Sequence, residues 1–295
     1  MSATAAMAED TIEIHPGTPN VYFEQGVVKG ADTKPLMESA AYVAEGSYYT
    51  QRQPHLTIET DIGFAYYDDE GRLTIHSKSI GIYLHALMIA EGLGVDLSNL
   101  RMVQNTSGGT FGYKFCPTLE ALVGAACMAT GKPVYLEYDY EQFITYTGKR
   151  SPFFMNLKFG ADKEGKLIAM ESEWNVDHGA YSEFGDLLTH KGAQFIGAGY
   201  DIPNIRGIGR TVCTNHAWGA PFRGYGSPQS EFASECLMDE LAEKMGMDPL
   251  DLRYINVYRP GATTPTGQVP ETFALEKMVD IIRPKYKAAK EKAAK

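Results

Sequence analysis

Two glycine-bearing segments carry the residues whose types and spacing could do chemistry. The first is Gly108-Gly109-Thr110-Phe111-Gly112-Tyr113-Lys114. Glycines between an expected strand and an expected helix let the backbone take positive φ and approach a ligand closely. The N–H groups so exposed can donate to an anion or to a metal-bound oxygen. The spacing matches neither the dinucleotide G-x-G-x-x-G pattern nor the P-loop, so by itself the segment reads as a turn or as a ligand cradle. The second segment runs from Asn215 to Gln229 and sets Arg223 among glycines and aromatics, just ahead of an expected helix. Either that guanidinium pairs with a surface carboxylate, or a rigid loop presents a permanent positive charge beside a helix N-terminus. Asp177, His178 and Glu183 could do acid–base work. Polar residues at strand ends usually cap turns, which favours a structural network there.

The elements that must position these segments follow from periodicity and punctuation. The first forty residues read as extended or irregular, broken by Pro16, Gly17, Pro19 and Gly30. Strands are expected over 41–50, 56–67 and 72–77, and a helix over 80–93 ended by Gly94. A strand at 100–104 leads into the glycine loop, then a helix over 117–130 opens at Pro117 and stops at Gly131. A strand at 133–138 precedes a hairpin, 153–161 with 167–176, turned at 162–166. A strand at 207–214 is followed by a helix from Pro228 to Met245, with Ser227 as its cap. Its buried face is expected at Phe232, Cys236, Leu237, Leu241 and Met245. A shorter helix opens at Asp248-Pro249, and a last one covers 273–295, polar after Pro284. Strands and helices alternate irregularly, which predicts an α+β fold of mixed sheets with packed helices.

Composition removes several function classes. The chain has 295 residues, 44% of them hydrophobic, enough to bury a large core. A net charge of −10 argues against a nucleic-acid partner, which needs a concentrated basic surface. No run approaches the ~18 apolar residues of a membrane span. The first ten residues lack the basic and apolar regions of a signal peptide, so a cytoplasmic location is expected. Cys116, Cys127, Cys213 and Cys236 form no C-x-x-C pair and read as reduced core thiols. The histidines include no H-E-x-x-H, so no metal held directly by side chains is expected.

Three motifs in order then point further. They are G-G-x-F-G-x-K at 108–114, Ile202-Pro203-Asn204-Ile205-Arg206-Gly207, and Phe222-Arg223-Gly224-Tyr225-Gly226-x-Pro228-Gln229. From about residue 21 to the end the chain resembles the xanthine dehydrogenase/aldehyde oxidoreductase family of molybdenum hydroxylases. Within it, the resemblance is greatest to the molybdenum aldehyde oxidoreductases of sulfate-reducing bacteria. The resemblance implies a metal held by a pterin dithiolene rather than by side chains, in the form of molybdenum cytosine dinucleotide. It places Gly109, Phe111, Gly112 and Arg223 at that cofactor, with Gly81 and Phe195 as further contacts. It divides the chain into 1–40, the linker or tail of a preceding domain; 41–275, the first part of a molybdopterin-binding domain; and 276–295, the start of a following domain.

The same resemblance suggests a substrate. Purine-hydroxylating members carry a glutamate where this chain has Phe115 and an arginine near Phe184. With Leu187 and Tyr225 these phenylalanines would form an aromatic funnel for uncharged aldehydes. The implied reaction is oxidation of an aldehyde to a carboxylic acid with water as oxygen source. The catalytic glutamate is expected beyond Lys295, and the 2Fe-2S clusters on another region or subunit, so no catalytic residue is assigned here and the chain is expected to be inactive alone. The complete enzyme would be compatible with a homodimer. The other readings are a cofactor-binding or assembly module without turnover and, within the same family, a hydroxylase of N-heterocycles.

Overall fold

The computed structural model describes residues 1–181 and 183–294. In chain order the elements are α1 (Ala3–Ala6), β1 (Val21–Lys29), α2 (Thr33–Ser39), β2 (Tyr42–Thr50), β3 (Ile62–Tyr67), β4 (Leu73–Ser77), α3 (Ile82–Leu93) and β5 (Leu100–Gln104). They continue with α4 (Glu120–Thr130), β6 (Val134–Glu137), α5 (Tyr140–Tyr146), β7 (Phe153–Ala161), β8 (Leu167–Gly179) and α6 (Gly185–Phe195). The last are β9 (Ile205–Cys213), α7 (Ser227–Met245), α8 (Pro249–Asn256) and α9 (Leu275–Ala293).

Two mixed sheets result, as an α+β chain requires. The five-stranded sheet has the order β1-β9-β8-β7-β2, with only β8 and β9 parallel. Along β7, Phe153, Met155, Leu157 and Phe159 are buried, while Asn156 and Lys158 face the other way. This period of two puts one face under helices and leaves the other wet. Helices α6 and α7 cover the buried face, and Trp174, Leu237, Met238 and Leu241 fill the space between. The four-stranded sheet, β5-β4-β3-β6, packs α3 and α4 around Leu73, Ile75, Leu119 and Val123.

Several expectations need correction. Within residues 1–40 the extended part is a paired strand: β1 runs antiparallel to β9 along its length and is an edge strand of the main sheet. The signal was present in Val21-Tyr22-Phe23 and Val27-Val28, β-branched and aromatic residues that outweigh the glycines around them. Strand β3 starts at Ile62 rather than 56, because Leu56 sits at φ 50°, outside any strand conformation. Helix α4 starts at Glu120, not at Pro117. The Glu120 carboxylate accepts from the Thr118 and Leu119 N–H groups, satisfying donors ahead of the helix. Ser227 is inside α7 and Gly226 is its cap; the Ser227 hydroxyl donates back to Gly224 O. On α7 the buried stripe is Ala233, Leu237, Met238, Leu241 and Ala242, while Phe232 is exposed and Cys236 half-buried. Small alanines let α7 lie close on β2 and β7, which rotates the stripe away from the expected one.

Helices α5 and α6 were not expected. The first carries a reciprocal capping box between Asp139 and Gln142. Helix α9 runs through Pro284 with no buried residue and is tied to α8 by Arg283–Asp251 and by Lys290 with Asp248 at 2.6 Å. Cys116, Cys127 and Cys213 are buried and Cys236 is half-buried; all are free thiols.

Candidate functional site

The glycine loop joins β5 to α4 and is held from below by charge. Gly109, Phe111 and Gly112 have φ of 134°, 49° and 116°. Thr110 Oγ1 accepts from the N–H groups of Gly112 and Lys114 at 3.2 and 3.3 Å. Lys114 is buried beneath the loop, donates to Ser107 Oγ at 3.2 Å and lies 3.5 Å from Glu59. Burial lowers the Lys114 pKa, opposed by Asp61 and Glu59. Glu59 also pairs with Lys78 at 2.7 Å and accepts from the Gly108 N–H. Burial raises the Glu59 pKa, but these donors outweigh it and hold the carboxyl below its ordinary value. The motif lysine therefore staples the loop and does not reach a ligand.

The arginine loop closes over the glycine loop. A side chain on Gly112 would put its Cβ 2.7 Å from Pro221 O, so this position needs glycine for space as well as for its positive φ. The Arg223 N–H donates to Phe111 O at 2.7 Å. Beneath, Arg150 donates to Arg223 O at 3.0 Å and Gln229 Oε1 at 3.2 Å, with its guanidinium 4.1 Å from the Phe222 ring centroid. It pairs with no carboxylate among the described residues, and burial lowers its pKa to about 10. His55 fastens the same loop through Pro221 O at 2.7 Å and packs on Phe222; burial holds its pKa at about 4. Sequence reasoning missed Arg150 and His55, because neither lies in a motif and both act across 72 or more residues of chain.

The two loops and the start of α6 enclose a cavity of about 450 Å³. Its walls hold Phe111, Gly112, Phe115, Phe184, Leu187, Arg223 and Tyr225, all singled out from sequence, and also Leu84, Pro221, Phe222 and Gly224. Leu84 follows from the helical spacing of α3 only once that helix is docked. Gly81 adjoins the wall: a Cβ there would lie 3.8 Å from Phe115 Cδ1. Gly109 packs toward Thr57 instead, and Phe195 lies at the far end of α6 from Phe184; neither lines the cavity. Phe111, Phe115 and Leu187 are 44%, 43% and 50% exposed, so the aromatic wall is open to an entering molecule.

At one end of this apolar space the chemistry changes. The Phe111 N–H has no hydrogen-bond partner among the described residues, and the Arg223 side chain has neither a hydrogen bond nor an ion pair there. The surface-carboxylate reading of Arg223 therefore fails. Phe111, Gly112 and Arg223 thus bring an unpaired amide, a glycine and an uncompensated guanidinium to the lining of one cavity, groups that favour an anion. Among the described residues no three His, Cys, Asp or Glu side chains come together as a metal site. The Tyr225 hydroxyl is already committed, donating to Phe184 O.

Asp177 and His178 are held by hydrogen bonds, as their strand-end position favours, whereas Glu183 takes part only through its backbone carbonyl and its Oε2 is buried without a partner among the described residues. His178 is fully buried, with Nδ1 2.9 Å from Ser151 Oγ and Nε2 2.7 Å from Glu183 O; burial lowers its pKa to about 4. Asp177 is bound by Arg52, Thr214 and His216 at 3.1, 2.6 and 2.6 Å.

A family model described as the molybdopterin cofactor-binding domain matches residues 14–257. The chain belongs to that family. The chain is 67% identical over 295 residues to an aldehyde oxidoreductase of Megalodesulfovibrio gigas, covering all of this chain and 32% of that protein. It is 34% identical to the nicotinate dehydrogenase large molybdopterin subunit of Eubacterium barkeri, over 98% of this chain and 66% of that one. Among solved structures, the aldehyde oxidoreductase from Desulfovibrio gigas superposes with a TM-score of 0.97, again over 100% of this chain and 32% of the other. The domain thus spans about a third of the length of the aldehyde oxidoreductases it matches. No described helix is long and apolar enough to cross a membrane.

Proposed function

We propose that this domain supplies the cofactor cradle and the substrate funnel of an aldehyde oxidoreductase, converting aldehydes to carboxylic acids. The observation that carries the substrate reading is the cavity wall. Phe115, Phe184, Leu187 and Leu84 offer it no charge, which suits an uncharged molecule with an apolar substituent. When bound, the molybdenum cofactor, in its cytosine dinucleotide form, supplies the two-electron oxidation with water as the source of oxygen. This chain's own residues bind and orient. The Phe111 and Gly112 backbone and the Arg223 guanidinium hold the anionic end, and the aromatic wall aligns the substrate beside it. No carboxylate or imidazole lines the cavity, so the proton acceptor comes from another part of the enzyme, as do the 2Fe-2S clusters that carry electrons away. The domain alone is accordingly inactive.

The nicotinate dehydrogenase relative favours a second reading, hydroxylation of N-heterocycles. The test is turnover by the complete molybdenum-loaded enzyme with an artificial electron acceptor. Benzaldehyde and acetaldehyde should be oxidised, while nicotinate and xanthine should not. Preferential turnover of either heterocycle would replace the aldehyde reading. Aldehyde oxidation by this chain alone would overturn its expected inactivity.

A further inference from the structure

Among the described residues, three of the five non-glycine residues with positive φ, Phe111, Phe184 and Tyr225, line the same cavity. A left-handed phenylalanine or tyrosine is strained and persists only where its surroundings over-determine it. At Phe184, φ 56°, they do so through three consecutive carbonyls. Glu183 O accepts from His178 Nε2 at 2.7 Å, Phe184 O from the Tyr225 hydroxyl, and Gly185 O from Thr211 Oγ1 at 3.1 Å. Each donor is itself fixed or buried. Glu183 O can only accept, so His178 Nε2 carries a proton, and Ser151 Oγ sits 2.9 Å from Nδ1 on the other side of the ring. Thr211 and Thr189 share a hydrogen bond of 2.6 Å. Between these donors Gly185 has no room for a side chain: a Cβ would meet His178 Cδ2 and Thr211 Cγ2 at 2.8 Å each.

We propose that Tyr225 and His178 are positioning residues that lock the strained Phe184 turn from behind and so set the width of the substrate funnel. Tyr225 reaches the Phe184 carbonyl from the arginine loop, the same loop whose Arg223 N–H grips Phe111 O from the other side. One loop therefore fixes both left-handed phenylalanines. The discrimination between bulky and small substrates comes from this clamp as well as from the side chains that line the wall. The substrate part of the inference rests on the aldehyde reading above; the clamp itself does not.

The test is Tyr225→Phe in the complete holoenzyme, which removes one hydroxyl and keeps the ring. Losing that hydrogen bond frees the turn by an amount worth up to about tenfold in binding. The KM for benzaldehyde should rise up to about tenfold, while KM for acetaldehyde and kcat for both change less than about twofold. Thr211→Val, which removes a donor outside the cavity, should shift the two KM values in the same unequal way. An independent readout is amide hydrogen exchange at Leu188, whose N–H donates to Phe184 O at 3.0 Å. Exchange there should accelerate in Tyr225→Phe with the melting temperature nearly unchanged. Equal KM changes for both aldehydes, or an unchanged Leu188 exchange rate, would overturn the clamp. If the wild-type enzyme oxidises no aldehyde, the functional reading fails while the exchange measurement still decides the clamp.

Discussion

Two concave regions of the domain differ in kind, and the larger of the two is not the candidate site. The open face of the five-stranded sheet forms a groove of about 960 Å³ lined by Glu45, Asn156, Lys158, Glu171, Glu173 and Arg206. The aromatic cavity has less than half that volume. In the groove, side chains stand on regular strands, and Lys158 pairs with Glu45 at 3.4 Å. In the cavity, left-handed phenylalanines, an orphan amide and an unpaired guanidinium are held in place by buried groups that face away from it. Size follows from leaving a sheet face wet; a site follows from strain and unmatched polarity that the rest of the fold sustains.

The strongest way to break this contrast is at Gly112. Gly112→Ala should destabilise the domain by about 2 kcal/mol or more and lower molybdenum per chain, since it forces both the φ and the Pro221 contact. Melting and metal analysis check it; an unperturbed, fully loaded variant would show that the two loops need not touch. Next in size is Phe115→Glu with Phe184→Arg, which puts charge on the apolar wall. Benzaldehyde kcat/KM in the complete enzyme should drop on the order of 100-fold, and unchanged kinetics would remove the funnel from the account.

A smaller effect is expected from pH. Burial holds the His178 pKa at about 4 against an ordinary 6.5. Between these values the unfolded chain binds a proton that the folded chain does not, so stability falls as pH drops from 6.5 towards 4. His55 adds a term of the same sign, whereas Asp61, raised by burial to about 6, opposes it. His178→Gln should flatten the acid loss in urea titrations across that window; an equally steep loss would mean that His178 does not contribute. The smallest effect belongs to the groove. Lys158→Ala should move the melting temperature by only about 1 °C and leave aldehyde kinetics alone, as exposed ion pairs contribute little.

The hairpin β7–β8, strand β5 and the stops at Gly94 and Gly131 were legible because period and punctuation are local properties. The pairing of strand β1 was not, since its partner β9 lies nearly two hundred residues away, although its own residues carry a strand signal. Helix α6 was hidden because it opens at a left-handed phenylalanine, a start that no capping rule predicts. The individual site residues could be picked out, with Phe111, Phe115, Phe184, Leu187, Arg223 and Tyr225 meeting in one cavity. Of their supports, Arg150 and His55 could not, and Lys114 and His178, though singled out, took their roles only from contacts across the chain.

By itself the sequence determined the α+β class, most element boundaries, and the order of the glycine and arginine motifs that marks the family. These depend on residue type and spacing along the chain. Only the tertiary structure decided that Gly112 meets Pro221, that Arg223 and Tyr225 grip the carbonyls of Phe111 and Phe184, and that Gly109 and Phe195 stand outside the cavity. Strained backbone at a site is stable only when distant groups hold it, and no local pattern encodes which distant groups those are.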